Sequence, residues 1–239
     1  MTSMQFRLAA PSCVIPDRVG PNCRALSPMV REVALMLLET RGCLDYDELD
    51  LPANLPELGL DYHAHLPLDL PWKDGAAAVG DAIFALEQKI AFMRPRGYVL
   101  HPPRPGDLSG LLRHRPGLAS MLWLENTREG DLCEIWDEIG ALGLGVCLDV
   151  GHMVSYGQQR VMSLPGFFER VRILHIYGGE SERGHAGLDQ LPDPNLLRDI
   201  LLRLEGNETL VVEIFSLEEL GRSLNLLKSW LLRWGMHHD

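Results

Sequence analysis

Histidine and carboxylate residues recur at the ends of successive apolar segments of this 239-residue chain. They are His63, His65, His101, Glu125, Asp149, His152, His175 and Glu213. Imidazole and carboxylate groups are ligands shared by zinc, manganese and iron sites. Burying several carboxylates together is costly without cations, because neighbouring like charges cannot all ionise. Each residue alone also fits a turn or a hydrogen-bonded core position, but their recurrence favours a metal site.

The apolar segments that carry these residues predict eight strands separated by helices. The strands are expected at 6–10, 33–39, 60–65, 97–101, 119–126, 145–152, 172–178 and 209–215, with amphipathic helices at 75–93, 131–142, 193–204 and 216–234. Most strand segments are continuously apolar, as expected in a parallel sheet covered on both faces. We therefore predict an α/β protein, a (β/α)8 TIM barrel in one domain spanning 1–239. A doubly wound open sheet is the competing fold, but no GxGxxG motif supports its dinucleotide-binding form.

The barrel prediction would bring the polar residues together. In a parallel barrel the carboxyl ends of all strands lie on one face, and barrel active sites are built there. Residues that are far apart in the sequence would then converge in space. His63 and His65 would project from the same face of one strand, because the side-chain period of a strand is 2.

Composition and charge indicate in which cellular compartment the protein works and which classes of partner it binds. The net charge is -11, and this acidity disfavours nucleic-acid binding. Apolar runs stay well short of the roughly 20 residues of a membrane span, and the N-terminal segment does not resemble a signal peptide. The five cysteines form no CxxC pair. These features predict a cytoplasmic protein with no membrane partner.

Several motifs resemble a known superfamily. The sequences LDVGH (148–152) and VVEIF (211–215) resemble the xylose isomerase-like TIM barrels, most closely their type 2 AP endonuclease branch. A narrower resemblance links the chain to the cobamide remodelling phosphodiesterases. It rests on CVIPDRVGPN (13–22), HAHLPLDLP (63–71), VCLDVGHMVSYG (146–157), LHIYG (174–178) and VVEIFSLEELGRSLNLL (211–227). This resemblance implies a metal-dependent hydrolase that cleaves a phosphoester bond in the nucleotide loop of a cobamide.

The resemblance also implies roles for individual residues. One metal would be held by His65, His101 and Glu125, and Glu125 would bridge to a second metal held by Asp149, His175 and Glu213. The catalytic residues would be Glu125, Asp149 and Glu213. Two or three ions of zinc, manganese or iron are expected. His63 and Asn126 would support the ligands.

The chain departs from the endonuclease pattern at the third metal. His152 and His185 match that pattern, but Arg183 and Gly184 stand where the endonucleases have an acidic residue. Glu180 or Glu182 is the candidate replacement. If no third metal binds, His152, His185 and Arg183 are expected to contact the phosphate instead.

The expected substrate is a small corrinoid or nucleotide-containing molecule. The segment 11–28 is expected to be a long loop at the barrel mouth, with Val14 and Ile15, together with Asp69, beside the substrate. That loop could equally plug the barrel edge. Three other functions stay open: a DNA phosphodiesterase of the AP endonuclease type, a sugar isomerase or epimerase, and a non-catalytic corrinoid- or metal-binding barrel.

Overall fold

Eight parallel strands close into a barrel in the computed structural model, which describes residues 4–182 and 184–239. The strands are β1 (Gln5–Pro11), β2 (Glu32–Met36), β3 (Asp61–His65), β4 (Tyr98–Leu100), β5 (Leu122–Glu125), β6 (Gly145–Asp149), β7 (Val171–Ile176) and β8 (Thr209–Val212). Each strand pairs with the next, and β8 pairs with β1 through Arg7 opposite Thr209. This closure confirms the TIM barrel and excludes the open sheet.

The barrel forms because its strands are apolar on both faces. Inward-facing side chains such as Ala9, Val99 and Val211 pack in one cluster inside the barrel. Outward-facing side chains such as Leu148 and Leu174 pack under the surrounding helices. Each fully buried leucine or valine contributes about 1.5–3 kcal/mol relative to an exposed one. The continuously apolar segments thus stabilise both layers at once.

Eight helices accompany the strands in the described residues. They are α1 (Val19–Leu26), α2 (Thr40–Leu44), α3 (Ala76–Ile90), α4 (Asp107–His114), α5 (Trp136–Leu142), α6 (Val150–Ser155), α7 (Pro194–Leu201) and α8 (Leu217–Arg233). No helix in these described ranges is both long and apolar enough to cross a membrane. A short strand, His237–His238, pairs with the start of β1.

Three helix starts compare differently with their local sequence patterns. Asp193 caps α7 by accepting a hydrogen bond from the amide of Asn195, as its position before Pro194 predicts. Ser216 and Glu219 have the spacing of a capping box, but the Ser216 side chain accepts no cap hydrogen bond. Its partner Glu219 instead accepts from the Gly187 amide at 3.0 Å. The helix predicted from 131 begins at Trp136, after a separate 3-10 turn.

The segment 11–28 also differs from the predicted long loop, because it contains helix α1. The side chain of Asn22 holds the turn before this helix. Its Oδ1 accepts hydrogen bonds from the amides of Val14 at 2.7 Å and Ile15 at 2.9 Å. Only residues 12–18 therefore remain as loop at the carboxyl end of β1.

Candidate metal centre

The predicted ligands converge at the carboxyl ends of the barrel strands. His65, Glu125 and Asp149 end β3, β5 and β6, His175 lies near the end of β7, and Glu213 directly follows β8. Strand register places Asp149 directly opposite His175, and Glu125 lies opposite Cys147, two residues before Asp149. His101 follows β4 by one residue. The closed barrel thus assembles residues that are up to 148 positions apart in the chain.

Glu125 faces two groups of ligands with its two oxygens. Its Oε2 lies 3.0 Å from His65 Nε2 and 3.3 Å from His101 Nε2, and its Oε1 lies 3.1 Å from His175 Nδ1. The first group, His65, His101 and Glu125, is called cluster 1 below. A carboxylate with one oxygen toward each group has the geometry of a bridging ligand.

Cluster 2 consists of Glu125, Asp149, His175 and Glu213, all buried. His175 Nδ1 lies 3.4 Å from Glu213 Oε2 and 3.8 Å from Asp149 Oδ2. Burial raises the pKa of Asp149, and the neighbouring carboxylates raise it further, although His152 opposes this. Three carboxylates in one buried site therefore repel one another, and a divalent cation would relieve that repulsion.

The histidines hold the other two carboxylates ionised. Burial alone would raise the pKa of Glu125, but His175, His101 and His65 hold it well below its ordinary value. Burial likewise raises the pKa of Glu213, yet His175 and His185 bring it to about 2. A donor set of carboxylate and imidazole groups fits zinc, manganese or iron.

Backbone oxygens fix the ring orientation of three histidines. The Nδ1 atoms of His65, His152 and His185 lie 3.0, 3.0 and 2.8 Å from the backbone oxygens of Leu66, Asn126 and Glu213. A backbone oxygen only accepts, so each Nδ1 carries the proton and donates it. The Nε2 atoms of His65 and His152 face the carboxylates of Glu125 and Glu180, at 3.0 and 3.5 Å, which is the side on which a metal would bind.

A third group of ligands lies above the barrel. Cluster 3 consists of His152, Glu180 and His185. Glu180 and His185 face each other across a two-stranded hairpin, Glu180–Ser181 and Gly184–His185. Glu180 Oε2 lies 3.5 Å from His152 Nε2 and accepts a hydrogen bond from Tyr156. Of the two glutamates expected to replace the missing acidic ligand, Glu180 belongs to this cluster, whereas Glu182 lies in the turn of the hairpin.

Asn126 clamps the backbone of Asp149. Its Oδ1 accepts from the Asp149 amide at 2.8 Å, and its Nδ2 donates to the Asp149 carbonyl at 2.9 Å. Nδ2 also donates to Gln158, which in turn donates to the carbonyl of Thr127. The residue predicted to support the ligands thus fixes the position of one ligand through its main chain.

Steric crowding explains why the sequence LDVGH has glycine at position 151. A Cβ atom at Gly151 would lie 2.1 Å from the ring of Tyr177, so a side chain there would displace the tyrosine. Tyr177 is fully buried, and its hydroxyl donates to Asp149 Oδ2 at 3.3 Å. Sequence reasoning did not single out Tyr177, although it lies two residues after His175.

His63 faces the barrel interior like His65 but lies one layer deeper. Its Nδ1 is 2.7 Å from Glu32 Oε1, and the other oxygen of Glu32 accepts from Arg96 at 2.8 Å and from Thr209 at 3.0 Å. Burial lowers the pKa of His63, and Glu32 opposes that shift. The hydrogen bond of His63 is therefore made to Glu32 and not to a member of the three clusters.

The residues predicted to contact substrate occupy different environments. Val14 is 3% exposed and packs in the core, whereas Ile15 is half-buried in the loop after β1. Asp69 is exposed and accepts hydrogen bonds from the amide and the hydroxyl of Thr40 at 2.7 and 2.8 Å. Arg183 lies outside the described residues. Contact of these residues with a substrate stays a prediction.

Comparison with known proteins finds solved structures with the same fold. No protein-family model and no curated protein matches the sequence. Solved structures with the same fold include a xylose isomerase domain containing protein from Salmonella typhimurium (13% identity, TM-score 0.66, covering 97% of this chain and 99% of that one). The 3-keto-D-glucoside 4-epimerase YcjR from E. coli aligns at 14% identity with a TM-score of 0.63, over 94% and 100% of the two chains. SacUVDE aligns at 10% identity with a TM-score of 0.61, over 94% and 99%.

These likenesses show a xylose isomerase-like TIM barrel. The neighbours are mostly sugar epimerases and isomerases, together with endonuclease-like proteins. At such low identities the fold is common to proteins with different reactions, so function has to be argued from the site itself.

Proposed function

We propose that this protein is a metal-dependent phosphodiesterase, with the nucleotide loop of a cobamide as its substrate. The observation that carries the hydrolase assignment is the position of Glu125 between clusters 1 and 2, with one oxygen toward each. Cluster 3 adds a further set of ligands on the substrate side. The cobamide assignment rests on the sequence motifs described above, because the structural neighbours support only the superfamily.

Divalent ions bound in these clusters would lower the pKa of a water nucleophile and neutralise the charge of the phosphate. The protein residues prepare the site for that chemistry. Glu125, Asp149 and Glu213 supply the negative charge that retains the cations. Asn126 keeps Asp149 in place, and backbone oxygens fix the ring orientation of His65, His152 and His185.

The reaction forms one P–O bond to water and breaks the P–O bond to the leaving alcohol, which takes up a proton. One cationic group at the barrel mouth, Arg128, can act on the diester itself. The guanidinium of Arg128 lies 5.8 Å over the ring of Tyr156, whose hydroxyl donates to Glu180. Arg128 is exposed on the loop after β5, where it can approach a phosphate oxygen. Its positive charge favours the anionic diester over a neutral sugar.

A sugar epimerase or isomerase is the second candidate, because most of the neighbouring structures carry such names. Proton transfer at a sugar carbon requires one divalent ion and two carboxylates. The ligand set here is larger, with four histidines besides His175 within or beside the three clusters. These additional histidines favour hydrolysis of a charged ester over proton transfer at a sugar carbon.

The decisive experiment offers the metal-loaded protein a panel of substrates. Cobamides, abasic DNA and phosphorylated sugars are incubated with protein loaded with zinc, manganese or iron, and products are identified by mass spectrometry. We expect cleavage of a cobamide at a phosphoester bond, and loss of that activity after chelation. Epimerised sugar without ester cleavage would replace this proposal by the second candidate, and full activity in a chelated, metal-free sample would refute the metal-dependent mechanism.

A further inference from the structure

A cavity of about 400 Å³ lies at the end of the barrel opposite the metal clusters. Arg7, Trp123 and Thr209 line it, and they lie at or near the first residues of β1, β5 and β8. The other lining residues are Arg96, Arg172, Glu205 and Asn207. This space, called the basal cavity below, is thus bounded by the amino ends of the strands, whereas clusters 1 and 2 lie at their carboxyl ends.

Arg7 carries two buried nitrogen atoms that lack a hydrogen-bond acceptor. Its Nε and Nη1 atoms form no hydrogen bond within the part of the chain that the structure describes. The carboxylates of Glu32, Asp61 and Asp239 lie 3.6, 3.5 and 3.7 Å from these atoms. A buried donor without an acceptor is costly, and it commonly marks the place of a water molecule or an ion. Because Arg7 lines the basal cavity, a ligand bound there can supply the acceptor.

The other two arginines add positive charge to the basal cavity. Arg172 donates from Nη1 to two backbone carbonyl oxygens, at 2.8 and 3.0 Å, and these neutral acceptors do not balance its charge. Arg96 donates to Glu32 at 2.8 Å, and its side chain is 42% exposed. Three arginines and one glutamate, Glu205, line the cavity, so its lining has a formal charge of +2. This charge favours an anionic ligand.

Trp123 gives the basal cavity an apolar wall. Its indole lies against Gly97, which directly precedes β4, and Gly145, which begins β6. A Cβ atom at these glycines would lie 2.2 and 2.5 Å from the ring, so a side chain at either position would displace it. Trp123 is half-buried and packs on the inner cluster of the barrel. The two glycines therefore leave room for an aromatic surface between three charged side chains.

The loop before β8 forms a preorganised wall of the same cavity. The buried carboxylate of Glu208 accepts hydrogen bonds from the amides of Glu205, Gly206 and Asn207 at 3.1, 2.9 and 3.0 Å. These bonds fix the backbone that carries the Asn207 side chain at the cavity. Binding of a ligand would therefore not require this loop to become ordered, which lowers the entropic cost of binding.

We infer that the basal cavity binds a small aromatic carboxylate. The planar guanidinium of Arg172 matches the two oxygens of a carboxylate, and the same group would supply an acceptor to Arg7. The aromatic ring would pack on Trp123. Glu205 in the lining and the carboxylates beside Arg7 disfavour a second negative charge, so a monoanion fits better than a phosphate dianion. This site is separate from the metal clusters, and the inference does not depend on the proposed function.

The test measures binding of 4-fluorobenzoate by fluorine NMR, with full-length protein loaded with zinc, which is diamagnetic. Arg172→Gln removes one positive charge at an exposed position and leaves no buried carboxylate unpaired. We expect this variant to raise the dissociation constant about tenfold, through loss of a charge-assisted pair. Arg113→Gln, at an exposed arginine of α4 outside the cavity lining, is the matched control and should bind as the wild type does. Equal dissociation constants for Arg172→Gln and the wild type would overturn the inference.

A second measurement locates the ligand, because a carboxylate can also bind to metal ions in the clusters. Two-dimensional NMR resolves the indole N–H groups of the five tryptophans, and the Trp123 signal is identified by its loss in Trp123→Phe. We expect 4-fluorobenzoate to shift the Trp123 signal in the wild type. An unshifted Trp123 signal at a saturating concentration of the probe would place the ligand elsewhere and overturn the inference.

Two further compounds test the chemical class of the ligand. 4-Fluorobenzyl alcohol keeps the ring without the charge, and we expect it to bind at least tenfold more weakly than 4-fluorobenzoate. Binding of equal strength would overturn the assignment of an anion site. Inorganic phosphate tests the alternative anion, and we expect it to displace the probe only at much higher concentration than unlabelled benzoate does. Displacement by phosphate at a lower concentration than benzoate would overturn the carboxylate assignment.

Discussion

The ring of Tyr177 lies parallel to the imidazole of His185, with their centroids 3.7 Å apart and their planes inclined by 3°. The hydroxyl of the same tyrosine donates to Asp149. Tyr177 therefore contacts a member of cluster 2 through its hydroxyl and a member of cluster 3 through its ring. It is a positioning residue that aligns two groups of ligands.

Removal of the Tyr177 hydroxyl tests its contact with Asp149 separately from the contact of the ring with His185. Tyr177→Phe keeps the stacked ring but loses the hydrogen bond to Asp149, so we expect metal affinity to fall about tenfold, as for other groups that support a ligand. Competition with a chromophoric chelator measures this affinity. Tyr98→Phe, at a buried tyrosine outside the centre, is the control. Equal metal affinity in Tyr177→Phe and the wild type would show that the hydroxyl does not position Asp149.

Glu125 is expected to be the least replaceable ligand, because it belongs to both barrel clusters. Glu125→Gln removes the negative charge shared by the two ions, and we expect turnover to fall at least about 1,000-fold with loss of bound metal. Asp149→Ala should abolish turnover as well. Metal content by mass spectrometry and initial rates are measured together. Glu129→Gln, at an exposed glutamate four residues away, should retain the bound metal and the activity of the wild type. If Glu125→Gln also retained its metal and its activity, the bridging role of Glu125 would be contradicted.

Glu180 determines whether cluster 3 can bind a metal. Glu180→Gln leaves His152 and His185 without their carboxylate partner, so we expect the metal content per chain to fall by about one ion. The neighbouring Glu182 is exposed, and Glu182→Gln should retain the full content. Equal metal content in the two variants would exclude Glu180 as a ligand and would favour a direct contact of the two histidines with the phosphate.

Glu32 is expected to stabilise the barrel without taking part in catalysis. Burial raises its pKa, but His63, Arg96 and Arg7 together lower it from 4.5 to about 2. A carboxyl group whose pKa is depressed on folding stabilises the protein above its unfolded pKa, and this contribution is lost as the pH falls through the folded value. We expect Glu32→Gln to lower the free energy of unfolding by about 3 kcal/mol at neutral pH.

The pH dependence distinguishes this charge effect from a packing defect. The difference in unfolding free energy between wild type and Glu32→Gln should be full above about pH 4.5 and should shrink toward pH 2. Urea unfolding at a series of pH values measures it, with Glu57→Gln at an exposed position as the control. A difference that stays constant from pH 7 to pH 3 would point to packing.

The barrel and the strand-end ligands could be predicted from the sequence because both depend on short-range patterns. Continuous apolar segments identify strands buried on both faces, and the parallel topology brings their carboxyl ends to one face. Glu125 and Asp149 each end such a segment. Their convergence therefore follows from strand order alone and needs no knowledge of side-chain contacts.

Other features depend on contacts that the sequence does not reveal. The hydrogen bond of His63 goes to Glu32, which is 31 residues away and begins a different strand. Helix α1 lies in a segment rich in proline, and Asn22 fixes its start through side-chain hydrogen bonds. Tyr177 gains its role from a stacked partner on the hairpin. Each of these depends on tertiary packing between distant segments.

The hairpin at 180–185 carries two members of cluster 3, whereas clusters 1 and 2 lie on or directly beside barrel strands. Within the part of the chain that the structure describes, the two hairpin strands pair with each other and form a sheet separate from the barrel. Substitutions confined to these six positions can therefore add or remove a ligand without altering barrel closure. The number of metals that the site could hold can therefore change on this fold independently of the strands that give the protein its stability.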